Sequence, residues 1–389
     1  MSNSIVHAHV RAALGQHLPS WVSASSRERL ALLVSGIIEA GSSRPAQIAA
    51  AICKLGLSAA EPESVERRIR RAQNDPELQV HVCLDPLVRQ QLQASRAQSL
   101  ILVLDPTCQD ERLVVVMASV WYRGRALPVA WTSWPGNQPL IGAGFWERVR
   151  ALLARVARLL PAGVAITWLA DRAFGTPQFT DAVASYGWHW VVRVQGQTCF
   201  RDRTGRERRL RDLVRGPRQR AKGRGEVFKK HGWRPASVVA FWGRRHKTPL
   251  LLASDQPLGW ELVALYRQRF GIEGSNRDYK SDGWQLERSQ VTTLAHVERL
   301  LIGLALATWL VTWVGAQRAA EYLQRPPTGH RRTRPYAAKH SLFALGLQVF
   351  ASWLARQPIS AWQLTDWQAP NWSTQITQHH TKAYVFALH

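Results

Sequence analysis

Acidic residues are scarce: 27 Asp and Glu stand against 51 Lys and Arg in 389 residues, a formal net charge of +24. So one-sided a surface condenses onto polyanions, which makes DNA or RNA the leading partner and an anionic membrane the alternative. Cysteine is scarcer still. The four (Cys53, Cys83, Cys108, Cys199) are scattered, with no CxxC pair and no His nearby at finger spacing. That argues against a disulfide framework or structural zinc and fits a reducing cytoplasm. No apolar run reaches the roughly 20 residues that span a bilayer. The longest, 300–314, reads as a buried core helix. The first five residues lack a basic start followed by an apolar stretch, so no secretion signal and no membrane partner are expected. Internal repeats are missing as well. What is left is a chain long enough for two or three domains, 46% hydrophobic, whose 18 Trp mostly fall inside apolar runs.

Residues 1–95 read as a bundle of short helices. Ser25 followed by Glu28 forms a capping box that opens an apolar-periodic run through Leu30, Leu33, Ile37 and Ile38, closed by Gly41. Pro45 starts a second helix that stops at Gly56, and a third begins near Pro62 and carries Arg67, Arg68, Arg70 and Arg71. Short helix, Gly-containing turn and basic helix outline a helix-turn-helix; a plain bundle or an oligomerisation arm are the other readings. Over 96–194 the pattern changes to strands at 99–104, 113–122, 126–134, 164–170 and 188–194, with helices at about 145–159 and 177–186. Residues 195–248 break this rhythm: between Arg201 and Lys247 there are 17 Lys and Arg against four acids, a net +13. Residues 227–228 and 236–242 within it read as short strands of a small β-subdomain. In 249–389 a strand returns at 249–254, then a helix at about 259–280 and a helical C-terminal region. This order is that of a ribonuclease-H-like α/β catalytic domain with a basic β-rich insertion, preceded by an α-helical DNA-binding domain.

Two of the apolar strands end on an aspartate, Asp105 and Asp171. Carboxylates placed there project from the sheet's end into a shared cleft. A single strand-end Asp is usually a turn cap, but two of them, separated by a hairpin and a helix, weaken that reading. In the helix after the insertion, Tyr266, Arg269, Glu273 and Lys280 are spaced by three, four and seven, which sets them within a narrow arc of one helix face. The plain alternative is a solvated charged face. Gly271 and Gly274 flank Glu273 against helix propensity, as if a strand or a DNA backbone approached there. Asp110, Glu111, Asp278 and Asp282 read as surface residues.

The run Tyr266-x2-Arg269-x3-Glu273-x6-Lys280 resembles the Tyr-Arg-Glu-Lys signature of bacterial insertion-sequence transposases with an Asp-Asp-Glu active site. Leu104-Asp105-Pro106-Thr107 followed by residues 123–128 is similar to the same family, as are residues 169–175 leading to 191–194. So is the basic patch His330, Arg331, Arg332, Arg334 before residues 341–346, and the resemblance spans about 100–350. It implies metal-dependent cleavage and strand transfer at phosphorus with two Mg²⁺ or Mn²⁺ ions about 4 Å apart. Asp105 would bridge both ions, Asp171 would hold one and Glu273 the other. Water first frees a 3′-hydroxyl at the element's end, and that hydroxyl then attacks target DNA. Tyr266, Arg269 and Lys280 would grip phosphates or bases beside the scissile bond. The partners implied are double-stranded DNA, as terminal inverted repeats and target, and a second copy in a homodimer, in the bacterial cytoplasm at the nucleoid. The helix bearing Arg67, Arg68, Arg70 and Arg71 is the candidate for the major groove. Trp233 and Trp242 are candidates for stacking a base flipped from the cleaved end. A DNA-binding regulator that does not cut, and a structure-specific nuclease that cuts without joining, are the rival functions on this fold.

Overall fold

In the computed structural model, which describes residues 5–109, 113–244, 246–280, 283–289, 291, 293–324 and 341–354, β1 (Ser99–Gln109) is the strand around which the sheet is organised. It pairs antiparallel with β2 (Leu113–Tyr122). β2 turns into β3 (Arg125–Pro135) through Arg123 and Gly124, at φ 47° and 88°. Two consecutive positive φ values make a two-residue turn whose twist suits a hairpin. On its other edge β1 runs parallel to β4 (Ala165–Ala170), which runs parallel to β5 (His189–Arg193). The crossover helices α7 (Ala143–Ala157) and α8 (Pro177–Ala184) bury Val149, Leu152, Leu153 and Val156, and Phe179 and Val183, and α7 leaves Arg148 and Arg150 exposed. The sheet order β3-β2-β1-β4-β5, with helices in the crossovers, is the mixed α/β layer expected from the strand pattern.

The basic insertion does not form a separate β-subdomain. Its strands β6 (Cys199–Asp202), β7 (Glu207–Arg209), β8 (Arg220–Val227) and β9 (Arg234–Phe241) join the same sheet, because β9 pairs along β10 (Leu250–Ser254), which pairs with β5. One ten-stranded sheet results, continuing from β5 as β10-β9-β8-β6-β7. The strand read at 227–228 is the end of β8, since Phe228 at φ 70° leaves the extended region. The helix read at 259–280 is α9 (Glu261–Arg267), a 3₁₀ turn over Gln268–Phe270, and α10 (Gly271–Lys280).

The chain divides into two compact units. The sheet unit comprises Ala97–Trp121 and Pro128–Glu273, and the helical unit Met1–Arg96, Tyr122–Leu127 and Gly274–His389. In the helical unit, α1 (Ile5–His17), α2 (Ala24–Ala40), α3 (Pro45–Lys54), α4 (Pro62–Gln73), α5 (Val80–Cys83) and α6 (Asp85–Ala94) share a core with α11 (Leu294–Gln324) and α12 (Leu342–Leu354). The N-cap of α2 is Ser23, whose hydroxyl accepts from Ser26 N, rather than Ser25; Glu28 instead pairs with His7 and Arg11. Helix α4 buries Val65, Ile69 and Ala72 and exposes Arg67, Arg68, Arg70 and Arg71, with Arg70 paired to Glu66 at 2.7 Å. The stretch Leu294–Ala320 is long and apolar enough to cross a membrane, yet its apolar window is 94% buried, the state of a core helix.

First and last segments of the helical unit are stitched by polar contacts. Arg299 donates to the Asp75 carbonyl at 2.6 Å, and the Ser43 N–H donates to the Trp284 carbonyl at 2.6 Å. The Asp75 carboxylate, itself buried, accepts from Ser26 Oγ and Arg29, and these bonds hold its carboxyl below the usual range despite burial. α11 and α12 cross so closely that a Cβ on Gly315 would lie 1.9 Å from the Leu342 carbonyl oxygen, and one on Gly346 1.9 Å from that of Val311. In an ordinary helix Gly→Ala stabilises by about 1 kcal/mol. Here Gly346→Ala forces two backbones apart and is expected to destabilise by about 2–3 kcal/mol, read as a fall in melting temperature. An unchanged or raised melting temperature would dismiss the close crossing.

Candidate active site

Asp105 and Asp171 come to the same level of the sheet because of parallel register. Leu104 of β1 lies opposite Ala170 of β4, so the next residue of each strand leaves the parallel ladder at one edge. Both strands are apolar and buried up to that point (Leu102, Val103, Leu104; Trp168, Leu169, Ala170), which fixes where the carboxylates emerge. Asp105 remains 8% exposed, still paired to β2 opposite Met117. Asp171 also serves as a turn cap, since the Ala173 N–H donates to its Oδ1 at 2.8 Å. The two readings of a strand-end aspartate hold together at this residue: one oxygen closes the turn, and the other faces the site.

Glu273 enters from the first turn of α10, with its side chain 62% exposed. Between the three acids sits the Arg269 guanidinium, buried to 10% exposure. It donates to Asp105 Oδ1, lies 3.9 Å from Asp171 Oδ2, and 3.8 Å from Glu273 Oε1. Burial opposes its charge, but Tyr266, Asp105 and Asp171 outweigh that and raise its pKa above the ordinary value. The 3₁₀ turn across Gln268–Phe270 carries Arg269, directly after the α-helical turn that holds Tyr266. Tyr266 is 1% exposed, and its hydroxyl has no hydrogen-bond partner among the described residues. Burial pushes its pKa up to about 12, with Arg269 and Arg193 pulling the other way.

The structure thus brings Asp105, Asp171, Glu273, Arg269 and Tyr266 together, and adds Arg193 from the end of β5. The shared arc of the helix does not make a solvated stripe, because Tyr266 and Arg269 face inward. Lys280 is the last residue of α10, and its side chain lies outside the described residues. Asp110, Glu111, Asp282 and residues 325–340, with His330, Arg331, Arg332 and Arg334, also lie outside them. Asp278 is a correction: it is buried and pairs with Arg125 at 2.8 Å, a partner 153 residues away. Gly274 is explained by the same arginine, the first residue of β3, whose Nη1 would lie 2.7 Å from a Cβ at 274, so the close approach there is by a strand residue.

The α4 arginines belong to the helical unit and the three acids to the sheet unit. Trp233 is half-buried with the Arg201 guanidinium 4.5 Å from its ring centroid. Trp242 is half-buried and its indole N–H donates to the His246 carbonyl at 2.8 Å.

Among the described residues no three His, Cys, Asp or Glu side chains form a ready metal-binding group. The donor chemistry nonetheless suits a hard divalent cation: three carboxylates converge on one position that a cationic group already fills. A buried tyrosine hydroxyl without a partner stands beside them.

Residues 146–310 match the family model of the transposase DDE domain. The match includes Asp171, Arg269 and Glu273 and leaves Asp105 outside. That stretch is therefore similar to the DDE domain of transposases. Comparison with curated protein sequences returns no match. Among solved structures, a piggyBac transposase synaptic complex with hairpin DNA aligns at 10% identity and TM-score 0.40, over 98% of this chain and 87% of that one. Human endonuclease V aligns at 14% identity and TM-score 0.25, over 48% and 87%, and its catalytic domain at 13% and 0.27, over 56% and 94%. These are loose likenesses of fold.

Proposed function

We propose, for a chain whose residues 146–310 match the transposase DDE domain, that it is the transposase of an insertion sequence, binding the element's terminal inverted repeats and cutting and joining DNA. The observation that supports this most is the convergence of Asp105, Asp171 and Glu273 on one cation position at the end of adjacent parallel strands. These carboxylates would hold two Mg²⁺ or Mn²⁺ ions, which when bound stabilise charge on the attacking and leaving oxygens of an in-line displacement. The protein's own part is placement. β1 and β4 fix two carboxylates in register, α10 brings the third, and Arg269 keeps the three from repelling one another. On entry of DNA, Arg269 is placed to pass from Asp105 to a phosphate oxygen, a charge-assisted bond of the same kind. The Tyr266 hydroxyl, unpartnered inside, is placed to donate to the group that enters.

In this reading the helical unit recognises the repeats through α4, with Arg67, Arg68, Arg70 and Arg71 toward the major groove, and two copies act together on paired ends. A linear DNA carrying the inverted repeats that flank the gene, incubated with the protein and Mg²⁺, is expected to be nicked at the repeat ends and then joined to a target. Binding without cleavage would make the protein a regulator, and cleavage without joining a nuclease. Full-length protein with Arg67, Arg68, Arg70 and Arg71 all changed to Gln is expected to lose its preference for the repeat over random DNA while keeping its fold. Retained preference would move recognition to another element.

A further inference from the structure

The sequence of β8, Arg220-Ala221-Lys222-Gly223-Arg224-Gly225, alternates a long cation with a small residue. Burial alternates with it: Arg220, Lys222 and Arg224 are exposed, and Ala221, Gly223 and Gly225 half-buried. Two of the small residues, Gly223 and Gly225, are required by β6. A Cβ on Gly225 would lie 2.1 Å from the Arg201 carbonyl oxygen and 2.9 Å from the Phe200 ring, and one on Gly223 3.1 Å from that ring. With Phe200 closing the inner face, the strand cannot slip by one residue, and all three cations are held on the other face. Alternate residues of a strand repeat every 6.7 Å or so, so this is a straight row of evenly spaced positive charges.

The row is not neutralised. All four acids of the insertion are engaged: Asp202 with Arg208, Glu207 with Lys229, Asp212 with Arg211, and Glu226 with Arg201. Among the described residues Arg220, Lys222 and Arg224 have no acidic partner. Two of them are instead gathered on one indole: the Arg220 guanidinium lies 5.2 Å and the Lys222 ammonium 5.6 Å from the Trp260 ring centroid. On the same face, Arg267 lies 5.8 Å from the ring of Phe241, the register partner of Arg220. Cation–π contacts of this kind hold the heads in place without cancelling their charge. Trp260 immediately precedes α9, and nine residues, about 14 Å of helical rise, separate it from Arg269 among the acids.

We infer that this face of β8, with Trp260 and Arg267, is a track for the phosphodiester backbone of DNA, carrying the strand that continues beyond the cleaved phosphate. The inference rests on the transposase reading for what lies at the α10 end of α9. A row of fixed cations, whose next residue on that face, Glu226, is already held by Arg201, suits a linear polyanion. An anionic membrane surface calls for apolar side chains between the charges, and the exposed large hydrophobics (Trp21, Ile141, Tyr186, Phe270) lie on none of β6–β9.

The test is the salt dependence of DNA binding by the full-length protein, followed by fluorescence anisotropy. Each phosphate contact contributes about 0.9 to the log–log slope. Arg220→Gln/Lys222→Gln/Arg224→Gln is expected to flatten the slope by about 2–3 units, and Arg224→Gln alone by about one. Lys229→Gln, which removes a cation already paired with Glu207, is expected to change it by much less. Trp260→Ala should weaken binding about tenfold, and Trp260→Phe should restore most of it. A triple variant that keeps a wild-type slope, or a Lys229→Gln slope that falls as far as that of Arg224→Gln, overturns the track. So does phosphatidylserine-vesicle binding that the triple variant loses while its DNA slope is unchanged. Cleavage by the wild type with Mg²⁺ is read separately. A protein that never cleaves but loses its slope in the triple variant keeps the track and loses the transposase.

Discussion

Asp171→Asn is expected to cut DNA cleavage by about a thousandfold or more, and Asp105→Asn and Glu273→Gln to do the same, while binding to end DNA holds or strengthens. A carboxylate that holds a metal ion in the transition state is worth several kcal/mol, and each 1.36 kcal/mol is tenfold in rate. The substitutions are near-isosteric, and an Asn at 171 still offers an oxygen to the Ala173 N–H, so the turn after β4 survives. Removing a negative charge beside a phosphate does not weaken attraction for DNA. Near wild-type cleavage with Mg²⁺ by any one of the three would remove that residue from the site.

Arg269→Gln is expected to lower the stability of the protein in chelator by about 3 kcal/mol. The change removes the Arg269 cation from beside Asp105, a carboxylate at 10% side-chain exposure, and from its neighbours Asp171 and Glu273. Mg²⁺ or Mn²⁺ should then raise the variant's melting temperature more than the wild type's, because the divalent ion no longer competes with a resident guanidinium. The readout is thermal melting with and without metal, and needs no turnover. Equal melting temperatures in chelator, or an equal rise on adding metal, would mean that Arg269 and the metal do not contend for one place.

Much of this site is legible in the sequence. An apolar run that ends on Asp fixes both the strand and the carboxylate's exit, and two such runs flanking a hairpin and a helix fix their neighbourhood. The helical spacing of Tyr266, Arg269 and Glu273 puts them on one face, but periodicity is silent on whether that face turns outward or inward. Tyr266 and Arg269 turn in because the acids of β1 and β4 draw the guanidinium, a contact 164 residues apart in the case of Asp105. Asp278 reads as a surface residue for the same reason, its partner Arg125 lying 153 residues away in sequence. The insertion reads as a subdomain of its own because nothing local says that β9 will find β10. Nothing local distinguishes Trp260 among the 18 Trp, although the cation-and-small alternation of β8 is a period-two strand signal open to view.

One consequence of the chain's division concerns the order in which the protein is made. The helical unit is split in sequence: residues 1–96 bury their apolar faces against α11 and α12, which lie beyond residue 290. At about 5–20 residues per second, α2 emerges from the ribosome some tens of seconds before α11 exists to pack on it. The sheet unit is synthesised in between, so its core elements are complete while the helical unit still lacks α11 and α12. A chain broken off after residue 273 would carry all three acids yet no finished helical unit, and deleting residues 1–96 would strip α11 of its packing on α2, α4 and α5. Whatever depends on a finished helical unit is therefore withheld until α11 and α12 have been made.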